Sequence, residues 1–171
     1  MMPTDNDQYW KLRPPRPTPD DEICACTAAT PVMLQPRLSP NPLSCARCNL
    51  EVPPERIRFD ERVVDSLALW RTFHDSFYFL WLDSGEFEEW AKGHLCDPMS
   101  AVNTRGLELV AQINAFRQCY LWWFQDEGDP DWEPARECPR CAGVLQVRFK
   151  GERPQGGALA VCESCSIALA V

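Results

Sequence analysis

Cys138-Pro139-Arg140-Cys141 and Cys162-Glu163-Ser164-Cys165 are two C-x-x-C pairs with 20 residues between them. Two intervening residues let both sulfurs of one tight turn reach a tetrahedral ion at about 2.3 Å, and a connecting hairpin carries the second turn to the ion's opposite side. The spacing predicts a four-cysteine zinc ribbon over 138–171. Its hairpin strands are expected at Val144 to Lys150 and Ala158 to Val161, with Gly156-Gly157 near the bend. Gly143 is expected to take the positive φ that such knuckles need. Cys-Pro-x-Cys also fits a redox dithiol, but a matched second pair favours a structural metal.

Working outward, a related constellation lies near the other end. Cys24-Ala25-Cys26 and Cys45-Ala46-Arg47-Cys48 are separated by 18 residues. A C-x-C pair is a weaker ribbon signal, so two readings stand: Cys24, Cys26, Cys45 and Cys48 form a second zinc site, or His94 and Cys96 complete the site begun by Cys45 and Cys48. The expected cofactor is therefore Zn2+ in two structural sites. Ten cysteines without a secretory signal also argue for thiols kept reduced rather than for disulfides. The start, Met1-Met2-Pro3-Thr4-Asp5, has no basic segment followed by an apolar one, and the longest apolar run, Phe77 to Leu82, is far too short to span a bilayer. A cytoplasmic protein with no membrane partner is expected.

Between the clusters, residues 57–125 hold 14 of the 18 aromatic residues, which places an aromatic-rich α+β core there. Val63, Leu67, Trp70 and His74 at helical spacing predict a helix over 61–75. Phe77 to Leu82 reads as a buried strand. A capping box, Asp83 to Glu86, predicts a helix running to Gly93, and Asp97-Pro98 predicts another with Asp97 as its N-cap. Arg117 to Gln125 reads as a strand. Residues 1–22, crowded with Pro14, Pro15, Pro17 and Pro19, are expected to be an extended arm without secondary structure, either disordered or laid across the body. The domain reading is thus an arm (1–22), an N-terminal zinc module (23–56), the core (57–125), an acidic linker (126–137) and a C-terminal ribbon (138–171). Cys119 reads as a core thiol, and Trp132 either folds back or anchors a partner.

Pro42-Leu43-Ser44-Cys45-Ala46-Arg47-Cys48, Asp97-Pro98-Met99-Ser100 leading into Arg105-Gly106, the aromatic run Tyr120 to Phe124 and the closing cysteine pairs together resemble an uncharacterised bacterial family, described as zinc-ribbon-containing and as candidate nucleic-acid binders. The resemblance covers residues 42–171. It implies zinc ligation by Cys138, Cys141, Cys162 and Cys165, and an earlier pair at Cys45 and Cys48. It implies no reaction. Here Ala142 intervenes before Gly143, where the family's knuckles commonly place glycine directly, and Cys24 and Cys26 lie outside the match.

The formal charge of −8 argues against a phosphate-backbone partner, and two filled four-thiolate sites would take it to −12. Residues 138–171 carry a local excess of +2 through Arg140, Arg148, Lys150 and Arg153, which a filled site cancels. The expected function is a non-catalytic protein-interaction module, such as an inhibitor or immunity-type partner of a basic protein. The alternative is a nucleic-acid-binding zinc ribbon. No catalytic signature is present: there is no G-x-S-x-G, H-E-x-x-H or phosphate-binding glycine loop, and a four-cysteine site leaves no coordination position open for water.

Overall fold

The computed structural model describes residues 7–149 and 157–171. Its centre is one six-stranded mixed sheet built from short strands: β1 (Val32–Leu34), β2 (Leu43–Cys45), β3 (Cys119–Trp122), β4 (Gln146–Arg148), β5 (Leu159–Cys162) and β6 (Ile167–Ala170). The spatial order is β2-β1-β3-β6-β5-β4. β3 pairs in parallel with β1 on one side and with β6 on the other, while every other pair is antiparallel. The two cysteine-bearing segments therefore supply the two ends of a single sheet, and β3 joins them. The bend expected at Gly156-Gly157 falls largely outside the described residues, as does the end of the first hairpin strand at Lys150.

Alternation sorts the strands' side chains between two faces. Val32, Leu34, Cys119, Leu121, Ile167 and Leu169 belong to the main core, whereas Met33, Tyr120, Leu159, Val161 and Ala168 form a smaller cluster of their own. Three helices complete the α+β architecture: α1 (Glu61–Asp83), α2 (Glu88–Cys96) and α3 (Ala101–Ile113). α1 starts where Asp60 accepts a hydrogen bond from the Val63 amide at 3.1 Å, and it buries Val63, Val64, Leu67, Trp70 and His74.

The strand expected at Phe77 to Leu82 is instead the end of α1. Nothing between Glu61 and Asp83 breaks the helix, and a short apolar run by itself cannot distinguish strand from helix. Helical spacing gives those rings partners, with Phe73 and Phe77 meeting edge-on at 5.2 Å between centroids. The helix ends only at Ser84, beyond which Gly85 adopts φ +63°. The cap expected at Asp83 is not formed: α2 starts after Phe87 with no side-chain cap and runs to Cys96, beyond the expected Gly93, while in the turn before it the Ser84 hydroxyl accepts from Phe87 N at 3.0 Å and Glu88 accepts from Gly85 N.

The start of α3 also differs from expectation. Ser100 is the N-cap, accepting from Asn103 N, while Asp97 accepts from Met99 N and shapes the preceding turn. α3 approaches β3 closely because residue 106 has no side chain. A Cβ there would lie 2.9 Å from Leu121 Cδ1 and 3.0 Å from Trp70 Nε1. β3 itself is shorter than the predicted 117–125. Arg117 leaves the ladder and donates to the carbonyls of Thr30 at 2.8 Å and Thr27 at 3.2 Å.

The main core is more aliphatic than composition suggests. Among the largest fully buried side chains only Phe59 is aromatic, although Tyr9, Trp70, Tyr120 and Trp123 are also buried. Phe79, Phe87, Trp90 and Phe116 are exposed. The N-terminal arm is laid across the body and has two short 3-10 turns, Trp10–Leu12 and Asp20–Glu22. Leu12 is buried, Tyr9 meets Phe59 edge-on, and Lys11 pairs with Asp65 at 2.5 Å. Among the described residues no helix is long and apolar enough to cross a membrane.

Candidate metal centres

In the N-terminal group, Cys24 is fixed by its amide donating to Glu51 O at 2.8 Å and by Arg56, which donates to its carbonyl. Cys45 ends β2, and the chain turns back through Cys48 so that Cys45 N donates to Leu50 O and Asn49 N to Cys45 O, both at 2.9 Å. Asn49, directly after the second cysteine, has φ 61°. Its carbonyl is held by Arg37 at 2.6 Å. The four sulfurs of Cys24, Cys26, Cys45 and Cys48 all lie within 4.8 Å of one another.

The C-terminal group repeats the design. Cys138 N donates to Gly143 O at 2.8 Å and Ala142 N to Cys138 O at 2.9 Å, closing the first knuckle. β5 ends on Cys162, and the second knuckle leads through Ser166 into β6. Cys138, Cys141, Cys162 and Cys165 again place their sulfurs within 4.8 Å of one another. The positive φ expected at Gly143 falls on Ala142 (54°), and the second knuckle uses Ser166 (53°). All three C-x-x-C knuckles therefore turn at the residue immediately after the second cysteine. The turn aims the following amide at that cysteine's sulfur: Leu50 N at Cys48 and Gly143 N at Cys141. Space beside Gly143 is tight, since a Cβ there would lie 3.3 Å from Cys141 Sγ.

These amides stabilise thiolate, and burial opposes it. Burial pushes the Cys45 thiol well above its ordinary range and raises Cys48 and Cys138 as well. Burial, together with the neighbouring sulfurs of Cys141, Cys138 and Cys162, raises Cys165 to about 12. Cys141 goes the other way, to about 7, led by the Gly143 amide. Four crowded sulfurs cannot all ionise unless a cation balances them. A tetrahedral ion with sulfur at about 2.3 Å requires sulfur separations of roughly 3.8 Å. Cys141 and Cys162 are 3.7 Å apart. Both groups thus have the ligand chemistry, number and compactness of a four-thiolate metal site.

The alternative ligands lie elsewhere. His94 packs its ring against Trp90 at 4.5 Å and Phe77 at 5.2 Å, and Cys96 is exposed at the end of α2. Cys24 and Cys26 are what complete the N-terminal group. Cys119 is buried in β3, and burial raises its thiol to about 12. Sequence reasoning missed Asn49, Ala142 and Ser166, although the position after each second cysteine was a usable signal.

A second surface feature was also missed. At the corner between α1 and α2, exposed Phe87 and Trp90 sit among exposed Asp83, Glu86 and Glu89. Lys92 of α2 pairs with Asp126 at 2.8 Å and Asp129 at 2.6 Å, which fastens the acidic linker beside that corner. Trp132 folds back, half-buried, and lines a hollow with Cys96 and Trp123.

Comparison with protein-family models, with curated proteins and with solved structures finds no match to this chain.

Proposed function

We propose that both cysteine groups hold structural Zn2+ and that the zinc-stapled body is a non-catalytic module binding a basic protein through the acidic, aromatic corner between α1 and α2. For zinc the carrying observation is the convergence of eight sulfurs into two compact groups. Zinc suits sulfur-only tetrahedral sites, and four thiolates leave no position for a reacting water. The roles are therefore structural: Cys24, Cys26, Cys45 and Cys48 hold one ion, and Cys138, Cys141, Cys162 and Cys165 the other.

For the partner, the carrying observation is that Phe87 and Trp90 are about half exposed, at 48% and 53%, with carboxylates around them. Large aromatics anchor protein interfaces, while surrounding charge steers an oppositely charged partner. An inhibitor or immunity-type role toward a basic toxin or enzyme fits this surface and the net charge of −8. The sequence resemblance to zinc-ribbon proteins of bacteria is in keeping with the metal assignment.

The competing nucleic-acid reading rests on exposed Arg140 and Arg148 beside the C-terminal group. Arg148 is, however, 3.8 Å from Glu163 across the same surface. Zinc analysis should return two ions per chain. Affinity capture from the source cells at low and high salt, repeated with Phe87→Ala/Trp90→Ala, should retain a basic protein that salt or the double variant releases. Retention of RNA or DNA on a filter at low salt, with no such protein captured, would reverse the two readings.

A further inference from the structure

A cavity of about 530 Å³ opens between the later turns of α1, the loop after β1 and the residues just past β3. Its size is that of a small-molecule site. Aromatic rings supply much of the wall: Tyr78, Phe79 and Trp81 from α1, with Trp122 and Phe124 from the sheet side. Trp81 and Phe124 meet edge-on at 4.8 Å, which fixes one corner of that wall.

The polar atoms set this cavity apart. Among the described residues, five buried side-chain polar atoms have no hydrogen-bond partner, and four of them belong to residues lining it: Gln35 Oε1, Arg71 Nε, His74 Nδ1 and Gln125 Nε2. Folded proteins rarely leave such atoms unsatisfied, and four of the five residues that carry them surround this one space; the atoms themselves are covered in this conformation, so a ligand there meets them after a side-chain turn. His74 is 6% exposed, and burial lowers its pKa to about 4, so it stays neutral near pH 7 and offers one acceptor and one donor. The charged groups on the wall are Arg37, Arg71 and Asp75. Arg71 is 3.2 Å from Asp75, and Arg37 donates to Ser44 and Asn49. One positive charge is left over, inside a chain of net charge −8.

We propose that this cavity binds a flat aromatic molecule bearing a single anionic group, of the aromatic carboxylate class. The rings stack on Tyr78, Phe79 and Trp81, and the anion lies between Arg71, whose Nε has no partner, and Arg37, whose charge the Arg71–Asp75 pair leaves unbalanced on this wall. The site shares no residue with either cysteine group or with the acidic corner, and touches the N-terminal knuckle only through Arg37, which holds the Asn49 carbonyl.

Calorimetric titration of the zinc-loaded full chain tests this with three probes: 2-naphthoate, its neutral analogue 2-naphthamide, and acetate. Saturable binding of one 2-naphthoate per chain is expected. 2-Naphthamide should bind about tenfold more weakly, because a charge-assisted hydrogen bond is replaced by a neutral one, and acetate should give no saturable heat. Arg71→Gln and Phe79→Ala should each weaken 2-naphthoate about tenfold while leaving zinc content and circular dichroism unchanged. Phe79 is exposed, so its variant remains informative even where Arg71→Gln misfolds. Absence of saturable 2-naphthoate binding, equal affinity for the amide, or indifference to Phe79→Ala would each overturn the proposal.

Discussion

The two four-cysteine groups have the same ligands and differ in the exposure of one of them. Cys24 and Cys45 in the N-terminal group and Cys138 and Cys162 in the C-terminal one are buried in the main core, and Cys26, Cys48 and Cys165 are half-buried; Cys141 alone of the eight is exposed, and β4 is exposed along its whole length. Both groups root two cysteines in the main core, and they differ in that the second opens to solvent at Cys141. Identical coordination chemistry should therefore yield unequal contributions to folding and unequal access for competing ligands.

The largest test of that inequality is Cys45→Ser. It removes a buried ligand at the end of β2, and loss of a structural zinc is on the order of 10 kcal/mol, comparable to a domain's whole stability. We expect the variant to unfold, read as loss of near-ultraviolet circular dichroism and of both ions. Cys141→Ser should instead retain one zinc per chain and keep amide-exchange protection in β1, β2 and β3. Equivalent behaviour of the two variants would break the comparison.

A chromophoric chelator added to the wild-type protein should release zinc in two phases, the fast one from the group containing exposed Cys141. Cys141→Ser should lack the fast phase. Gly106→Ala acts on neither group but presses on Leu121 of the shared strand, and it should cost about 1–3 kcal/mol through overpacking. Thermal melting should show the loss, with both release phases accelerated together. The smallest expected effect is Ala142→Gly, which relieves a non-glycine residue at φ 54° and should gain about 0.5–1 kcal/mol. Only the fast release phase should slow.

Spacing made the C-terminal group legible, because two C-x-x-C turns and a hairpin admit few arrangements. The N-terminal group was ambiguous, since C-x-C constrains less, and only the fold shows His94 engaged with Phe77 and Trp90 instead. Phe77 to Leu82 misled because aromatic and aliphatic residues on several helix faces erase the period that separates helix from strand. None of the rings in that stretch is fully buried and Phe79 is exposed, because the composition of a stretch says little about which side faces solvent. The sheet's continuity was invisible for a different reason. Parallel pairing of β3 with β1 and β6 joins stretches far apart in sequence, and no local pattern encodes such a register.

That parallel pairing has a consequence for how the chain is made. As it leaves the ribosome, the β1–β2 hairpin and its four cysteines emerge first, yet Val32 finds its register partner only when Cys119 appears, and Leu121 must wait for Ile167. A metal ion captured early by Cys24, Cys26, Cys45 and Cys48 would hold this nascent hairpin together while its open edge stays unpaired. Metal supply during synthesis would then set how much newly made chain avoids aggregation, apart from any effect on the finished fold.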